Sequence, residues 1–206
     1  AAGGRSFCWW MALLAVLGGE CAHLALNLAD DWFDYKVDMK GDRDRVIRRG
    51  FRAMTAKYPY LTDGSQTLRS TAVAIGWFTA AALACFAAIF IPRTLQAGFS
   101  AHDGSWPLAV IVLLGAFLGY FYSAPPLKLA YRGLGELVIG VIFGPLLMCG
   151  VYFATCGNID WKILAISLPI GLLVVNILFT HSFIDMDSDA ESNKMTFARV
   201  LGTSRA

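Results

Sequence analysis

Long apolar runs alternate with polar connections along this chain. Five runs stand out, at 8–28, 68–91, 107–124, 134–156 and 162–183. Each approaches the roughly 20 residues that an α-helix needs to cross a hydrocarbon core of about 30 Å. None shows the strict apolar–polar alternation of a membrane barrel strand, and in lipid only helices and closed barrels satisfy their own backbone. The pattern predicts an all-α, polytopic transmembrane helix bundle, read as one domain over 1–206.

Polar residues interrupt the first and last runs in an ordered way. Glu20, His23, Asn27, Asp30 or Asp31, and Asp34 recur every three to four residues, so they line one face of a helix that leads out of the membrane. Asp31, Asp34 and Asp38 continue that face beyond the apolar run. The last run ends through Asn176, Thr180 and His181 into Asp185-Met-Asp187-Ser-Asp189. Ionisable groups inside a membrane normally face a bundle interior or a wet cavity. The competing reading of Glu20, His23 and His181 is helix-packing hydrogen bonds.

Charge sets the orientation. The 36–69 connection carries Lys36, Lys40, Arg43, Arg45, Arg48, Arg49, Arg52, Lys57 and Arg69; 125–133 adds Lys128 and Arg132, and the tail adds Lys194, Arg199 and Arg205. The opposite connections hold only Arg93 and Lys162. The positive-inside rule puts the basic loops, and with them both acidic clusters, at the cytoplasmic face. Four spans separate the clusters, an even number, so the chain returns to the side it left. The 39–67 connection reads as a binding loop or as an anchor on anionic lipid.

Composition agrees with the pattern: 57% of the residues are hydrophobic and 16% charged, against about 45–50% and 25% in a soluble domain. Cys8, Cys21, Cys85, Cys149 and Cys156 fall in or beside apolar runs with no C-x-x-C spacing, and read as packing residues rather than disulfides or ligands. Nothing points to nucleic acid. The chain starts almost on an apolar run and stops just past the second acidic cluster, so it is expected to be a piece of a longer protein.

Carboxylates one turn apart at two helix ends suit Mg2+, which takes one or two carboxylates, water and substrate phosphate oxygens. Such an arrangement would hold a diphosphate, with Lys128 and Arg132 available for its negative charge. Beyond them, Gly133 and Gly135 allow a tight entry to the next helix, Glu136 complements that helix's dipole, and Gly140-x-x-x-Gly144 with Pro145 permits either close helix contact or a kink.

At these residues the chain resembles the UbiA superfamily of intramembrane prenyltransferases. The family's first motif, N-D-x-x-D-x-x-x-D, is matched by Asp30-Asp31-Trp-Phe-Asp34-Tyr-Lys-Val-Asp38, with Asp30 in place of the leading Asn. The second, D-x-x-x-D followed by a basic residue, is matched by Asp185, Asp189 and Lys194. Within the superfamily, Tyr122-Ser-Ala-Pro-Pro-Leu-Lys-Leu-Ala-Tyr-Arg-Gly-Leu-Gly-Glu136 and Phe143-Gly-Pro145 are similar to the MenA branch. So is Asp185 to Thr196 ahead of Arg199-Val-Leu-Gly202.

The resemblance implies a bundle of about nine helices, of which this chain would hold the second to the sixth. It implies Mg2+ held by Asp31, Asp34 and Asp38 on one side and by Asp185 and Asp189 on the other. Asp31, Asp34, Asp185 and Asp189 would be the catalytic aspartates. Asn27, Tyr122, Lys128, Arg132 and Lys194 would bind substrate. The partners would be a polyprenyl diphosphate, an aromatic acceptor and the lipid bilayer, and the location a bacterial inner membrane. The branch points to 1,4-dihydroxy-2-naphthoate as acceptor and to menaquinone synthesis. The alternatives are another acceptor (4-hydroxybenzoate, homogentisate or a tetrapyrrole) or, in a different class, an ion-coupled transporter.

Overall fold

The computed structural model describes residues 7–38, 58–97, 105–191 and 193–202. The cations from Lys40 to Lys57, and Arg205, lie outside the described residues. The elements are α1 (Trp9–Asp38), α2 (Pro59–Thr62), α3 (Leu68–Ala97), α4 (Trp106–Ser123), a 3-10 turn (Leu129–Tyr131), α5 (Gly135–Val141), a π turn (Ile142–Leu146), α6 (Leu147–Cys156), α7 (Trp161–Ile184), α8 (Met186–Glu191) and α9 (Phe197–Leu201).

Among the described residues, five stretches are long and apolar enough to cross a membrane: Trp9–Lys36, Leu68–Gln96, Trp106–Ser123, Gly135–Cys156 and Trp161–Ile184. These are the five predicted spans, and the architecture is the expected all-α bundle. The first two helices run further than their apolar runs. At 30 residues, α1 is about 45 Å long, so its last turns project past the hydrocarbon and carry the aspartates outward. Helix α3 passes through Pro92 to Ala97.

α1 is the spine, packed along α3 and also against α4 and α6. α7 lies on the other flank, against α5 and the π turn. There the Gly140-x-x-x-Gly144 stripe meets Gly171 at backbone contact: a Cβ on Gly171 would stand 2.7 Å from the Gly140 carbonyl oxygen, and one on Gly144 would stand 2.8 Å from the Gly171 Cα. Close contact and irregularity, the two readings of this stripe, both occur. Pro145 falls inside the π turn, where its missing N–H removes a helical hydrogen bond.

The best-packed apolar cluster lies at the end away from the aspartates: Met11, Ile89, Leu108, Phe153 and Ala154. Arg93, the exception to the loop-charge pattern, is buried beside it. Its Nη2 donates to the carbonyls of Ala154 at 2.9 Å and Thr155 at 2.8 Å. These are among the last carbonyls of α6, which have no intrahelical partner, and a cation there also meets the negative end of the helix dipole. The Arg93 charge is therefore used in joining α3 to α6, not displayed to the far side of a membrane. All five cysteines are free thiols.

Candidate active site

The aspartate-bearing end of the bundle is built by polar contacts between segments far apart in sequence. Asp34, on α1, is 2% exposed. Lys194 Nζ lies 3.0 Å from its Oδ2, and the Tyr131 hydroxyl donates to its Oδ1 at 2.7 Å. The two acidic motifs therefore meet at one end of the bundle, as the even number of intervening spans requires. Burial works against the Lys194 charge, but Asp34 and Asp30 more than reverse it and hold the ammonium well above its usual pKa.

The other aspartates of α1 are also engaged. Tyr60, in α2, donates its hydroxyl to Asp31 Oδ2 at 2.7 Å. Burial, and then this bond, push the Tyr60 pKa up, so the phenol stays a donor. Ser123, at the end of α4, donates to Asp30 Oδ1. Asp38 is the last residue of α1. Three turns earlier Asn27 Nδ2 pairs with His23 Nε2 at 2.9 Å, and the His23 ring meets Phe143 of the π turn edge-on. Glu20 is exposed.

Trp32 fixes the height of this end by donating its indole N–H to the Leu68 carbonyl at 3.0 Å, with Lys36 Nζ 3.3 Å above its ring.

In the second motif Asp185 caps α7, its N–H donating to His181 O at 3.0 Å, and its own carbonyl accepts the Asp189 N–H at 2.8 Å. Asp189 is buried and Asp187 exposed. Asn193, in a left-handed conformation at φ 53°, turns the chain so that Lys194 points back to α1. Arg199 Nη1 closes the turn by donating to the carbonyls of Asp189 and Lys194. The polar residues before Asp185 are used locally: Thr180 and His181 bond the carbonyls of Asn176 and Ile177, one turn back.

The 125–136 connection supplies the third wall. Pro125–Pro126 is a cis peptide. Lys128 takes a left-handed φ of 46° and places its Nζ 5.2 Å from the Tyr131 ring centroid. Gly133, at φ 77°, turns the chain into α5. Gly135 sits at a close approach, since a Cβ there would lie 3.2 Å from the Ala130 Cα and 3.3 Å from the Tyr122 hydroxyl. The Arg132 side chain is exposed and donates to the Pro126 carbonyl at 3.1 Å, while its backbone bridges to Met195.

Among the described residues, no three acidic, His or Cys side chains gather around one metal position. The donors nevertheless fit a hard cation. They are carboxylate oxygens in pairs, and Mg2+ takes one or two of these and completes its shell with phosphate and water. Asp31 and Asp34 hold their oxygens at the end of a rigid helix with a buried ammonium alongside.

Sequence reasoning did not single out Tyr60, Tyr131 or Ser123. Tyr131 had a readable signal, a phenol between two cations in the loop facing the acids. Tyr60 and Ser123 had none, because their partners lie 29 and 93 residues away.

Comparison with known proteins bears on the same residues. The UbiA prenyltransferase family matches over residues 1–206. The 1,4-dihydroxy-2-naphthoate octaprenyltransferase of Mycobacterium tuberculosis is 30% identical over 200 residues, covering 96% of this chain and 60% of that protein. The Bacillus subtilis protein of the same name is 26% identical over 184 residues, covering 87% of this chain and 51% of its own length. A 2-carboxy-1,4-naphthoquinone phytyltransferase of Synechocystis is 34% identical over 98 residues, covering 48% of this chain and 32% of that protein. No solved structure matches. The chain thus spans from about a third to about three fifths of the length of these relatives. The match over the whole sequence, with both acidic motifs meeting at one end of a membrane-crossing bundle, places this chain in the UbiA prenyltransferase family.

Proposed function

We propose that this chain belongs to a Mg2+-dependent membrane prenyltransferase. It would move a polyprenyl group from its diphosphate to an aromatic acceptor, 1,4-dihydroxy-2-naphthoate, at the cytoplasmic face of a bacterial inner membrane. The observation that carries the chemistry is the buried junction of Asp34 with Lys194 and Tyr131. It joins the two acidic motifs to a cation that can serve an anionic substrate. The acceptor rests on the relatives named for naphthoate chemistry.

In this reading Asp31, Asp34 and Asp38 on α1, together with Asp185 and Asp189, would hold Mg2+, which when bound would neutralise charge on the leaving diphosphate. Lys194 and Lys128 bind diphosphate oxygens, and Arg132 reaches them only if its loop side chain turns inward. Tyr60 and Tyr131 keep the Asp31 and Asp34 carboxylates oriented. Tyr122 and Asn27 are the remaining candidates for contact with substrate. The bond from the allylic carbon to the diphosphate oxygen breaks, and its electron pair leaves with the diphosphate. The electron-rich ring then bonds to the allylic carbon, and the acceptor's carboxylate departs as CO2, returning its electron pair to the ring.

Neither Asp31→Asn nor Asp185→Asn removes apolar packing. Each is therefore expected to abolish transfer by the full-length protein while its thermal unfolding stays within about 1–2 kcal/mol of the parent. Full activity in either variant would remove that aspartate from the site.

A further inference from the structure

Glu136 stands in the first turn of α5 and is 3% exposed. Its Oε1 accepts the backbone N–H of Phe197 at 3.1 Å, across 61 residues. Phe197 is the first residue of α9, where the opening N–H groups lack partners within the helix. Its own N-cap, Thr196, makes no capping bond. The Thr196 Oγ1 and the Glu136 Oε2 are both buried without a hydrogen-bond partner among the described residues. A carboxylate half-satisfied in a buried place is costly, and the bond it does make is to the segment that delivers Lys194. Arg132 and Met195 form a backbone bridge beside it, and Gly133 lies close under Val200. Dipole complementation alone, the role read for Glu136 from its position in sequence, does not account for burial against a distant segment.

We propose that Glu136 is a positioning residue for Lys194. By capping α9 from a neighbouring helix it fixes the 193–197 turn, so that the Lys194 ammonium reaches Asp34 and the diphosphate oxygens. This inference rests on the diphosphate reading of the aspartate end. The role requires an acceptor atom, not a charge, so an amide serves as well.

The test uses the full-length protein, with Mg2+ and inorganic pyrophosphate as a calorimetric probe alongside transfer kinetics. Glu136→Leu is expected to raise the KM for polyprenyl diphosphate and to weaken pyrophosphate binding about tenfold, with the acceptor KM unchanged, as loss of one buried hydrogen bond predicts. Glu136→Gln restores both. Phe197→Pro removes the same bond from its other side, at a first helical position where proline is tolerated. It matches Glu136→Leu and adds nothing to it, whereas Phe197→Ala, which keeps the N–H, binds like the parent. If Glu136→Leu does not fold, Phe197→Pro and Phe197→Ala decide the question.

Parental pyrophosphate binding in Phe197→Pro, or a Glu136→Gln protein as impaired as Glu136→Leu, would overturn the inference. The Asp34→Asn protein separates the two levels. If it loses pyrophosphate binding while Phe197→Pro keeps it, only the role of Glu136 fails. If it binds like the parent, the diphosphate site fails and the inference with it.

Discussion

Asp34→Ala is expected to lower stability by about 3–5 kcal/mol, because it leaves a buried ammonium without its counter-charge. Asp34 is 2% exposed, and the side chain of Lys194 10%, so water cannot replace the missing carboxylate. The Tyr131 hydroxyl would lose its acceptor in the same step. Lys194→Met should destabilise as well, by removing the buried ammonium that pairs with Asp34. The double variant Asp34→Ala with Lys194→Met is expected to regain part of the loss, since with both charges gone neither is left buried without the other. Thermal unfolding in detergent micelles measures the first quantity and a double-mutant cycle the coupling. None of the three variants should transfer a prenyl group. Parental stability in Asp34→Ala would show that the ion pair contributes nothing to holding the tail against α1.

The second large effect is expected at Gly171, far from any charge. A Cβ there meets the Gly140 carbonyl oxygen at 2.7 Å, and a backbone atom cannot swing aside as a long side chain can. Gly171→Ala should cost about 1–3 kcal/mol through overpacking, and Gly171→Leu more, by pushing α7 off α5 and the π turn. Since α7 ends at Asp185, activity should fall with the displacement. Gly76 is the control. A Cβ there meets nothing within 4 Å, so Gly76→Ala should be neutral or stabilise by up to about 1 kcal/mol through helix propensity alone. Equal unfolding temperatures for Gly171→Leu and Gly76→Ala would contradict the close crossing.

These two sites mark the boundary between what the sequence made legible and what it did not. The five spans were readable because lipid forces every backbone group into a helix, and apolar length then sets the ends. The stripe from His23 to Asp34 was readable because helical spacing is local. The aspartates of both motifs fall at one end of the bundle because the number of spans between them is even. Partners were not readable. Nothing near Asp34 in sequence names Tyr131 or Lys194, which lie 97 and 160 residues on.

Two cations have carbonyl partners that the sequence does not name. Arg93 looked like a stray loop charge and instead caps the end of α6. The Arg132 side chain, expected at the substrate, turns to its own loop. Both depend on which carbonyls a fold leaves unpaired, and periodicity carries no record of that. The junction at Glu136 belongs to the same class: a helix-start acid was visible, but its buried partner on α9 was not.

The most direct test of the central claim is prenyl transfer by membranes carrying the full-length protein. A labelled polyprenyl diphosphate is supplied with either 1,4-dihydroxy-2-naphthoate or 4-hydroxybenzoate, with and without EDTA. Prenylated product is expected with the naphthoate alone, lost with EDTA and restored by added Mg2+. Product that forms undiminished in EDTA, or no product from folded protein with either acceptor, would contradict that claim.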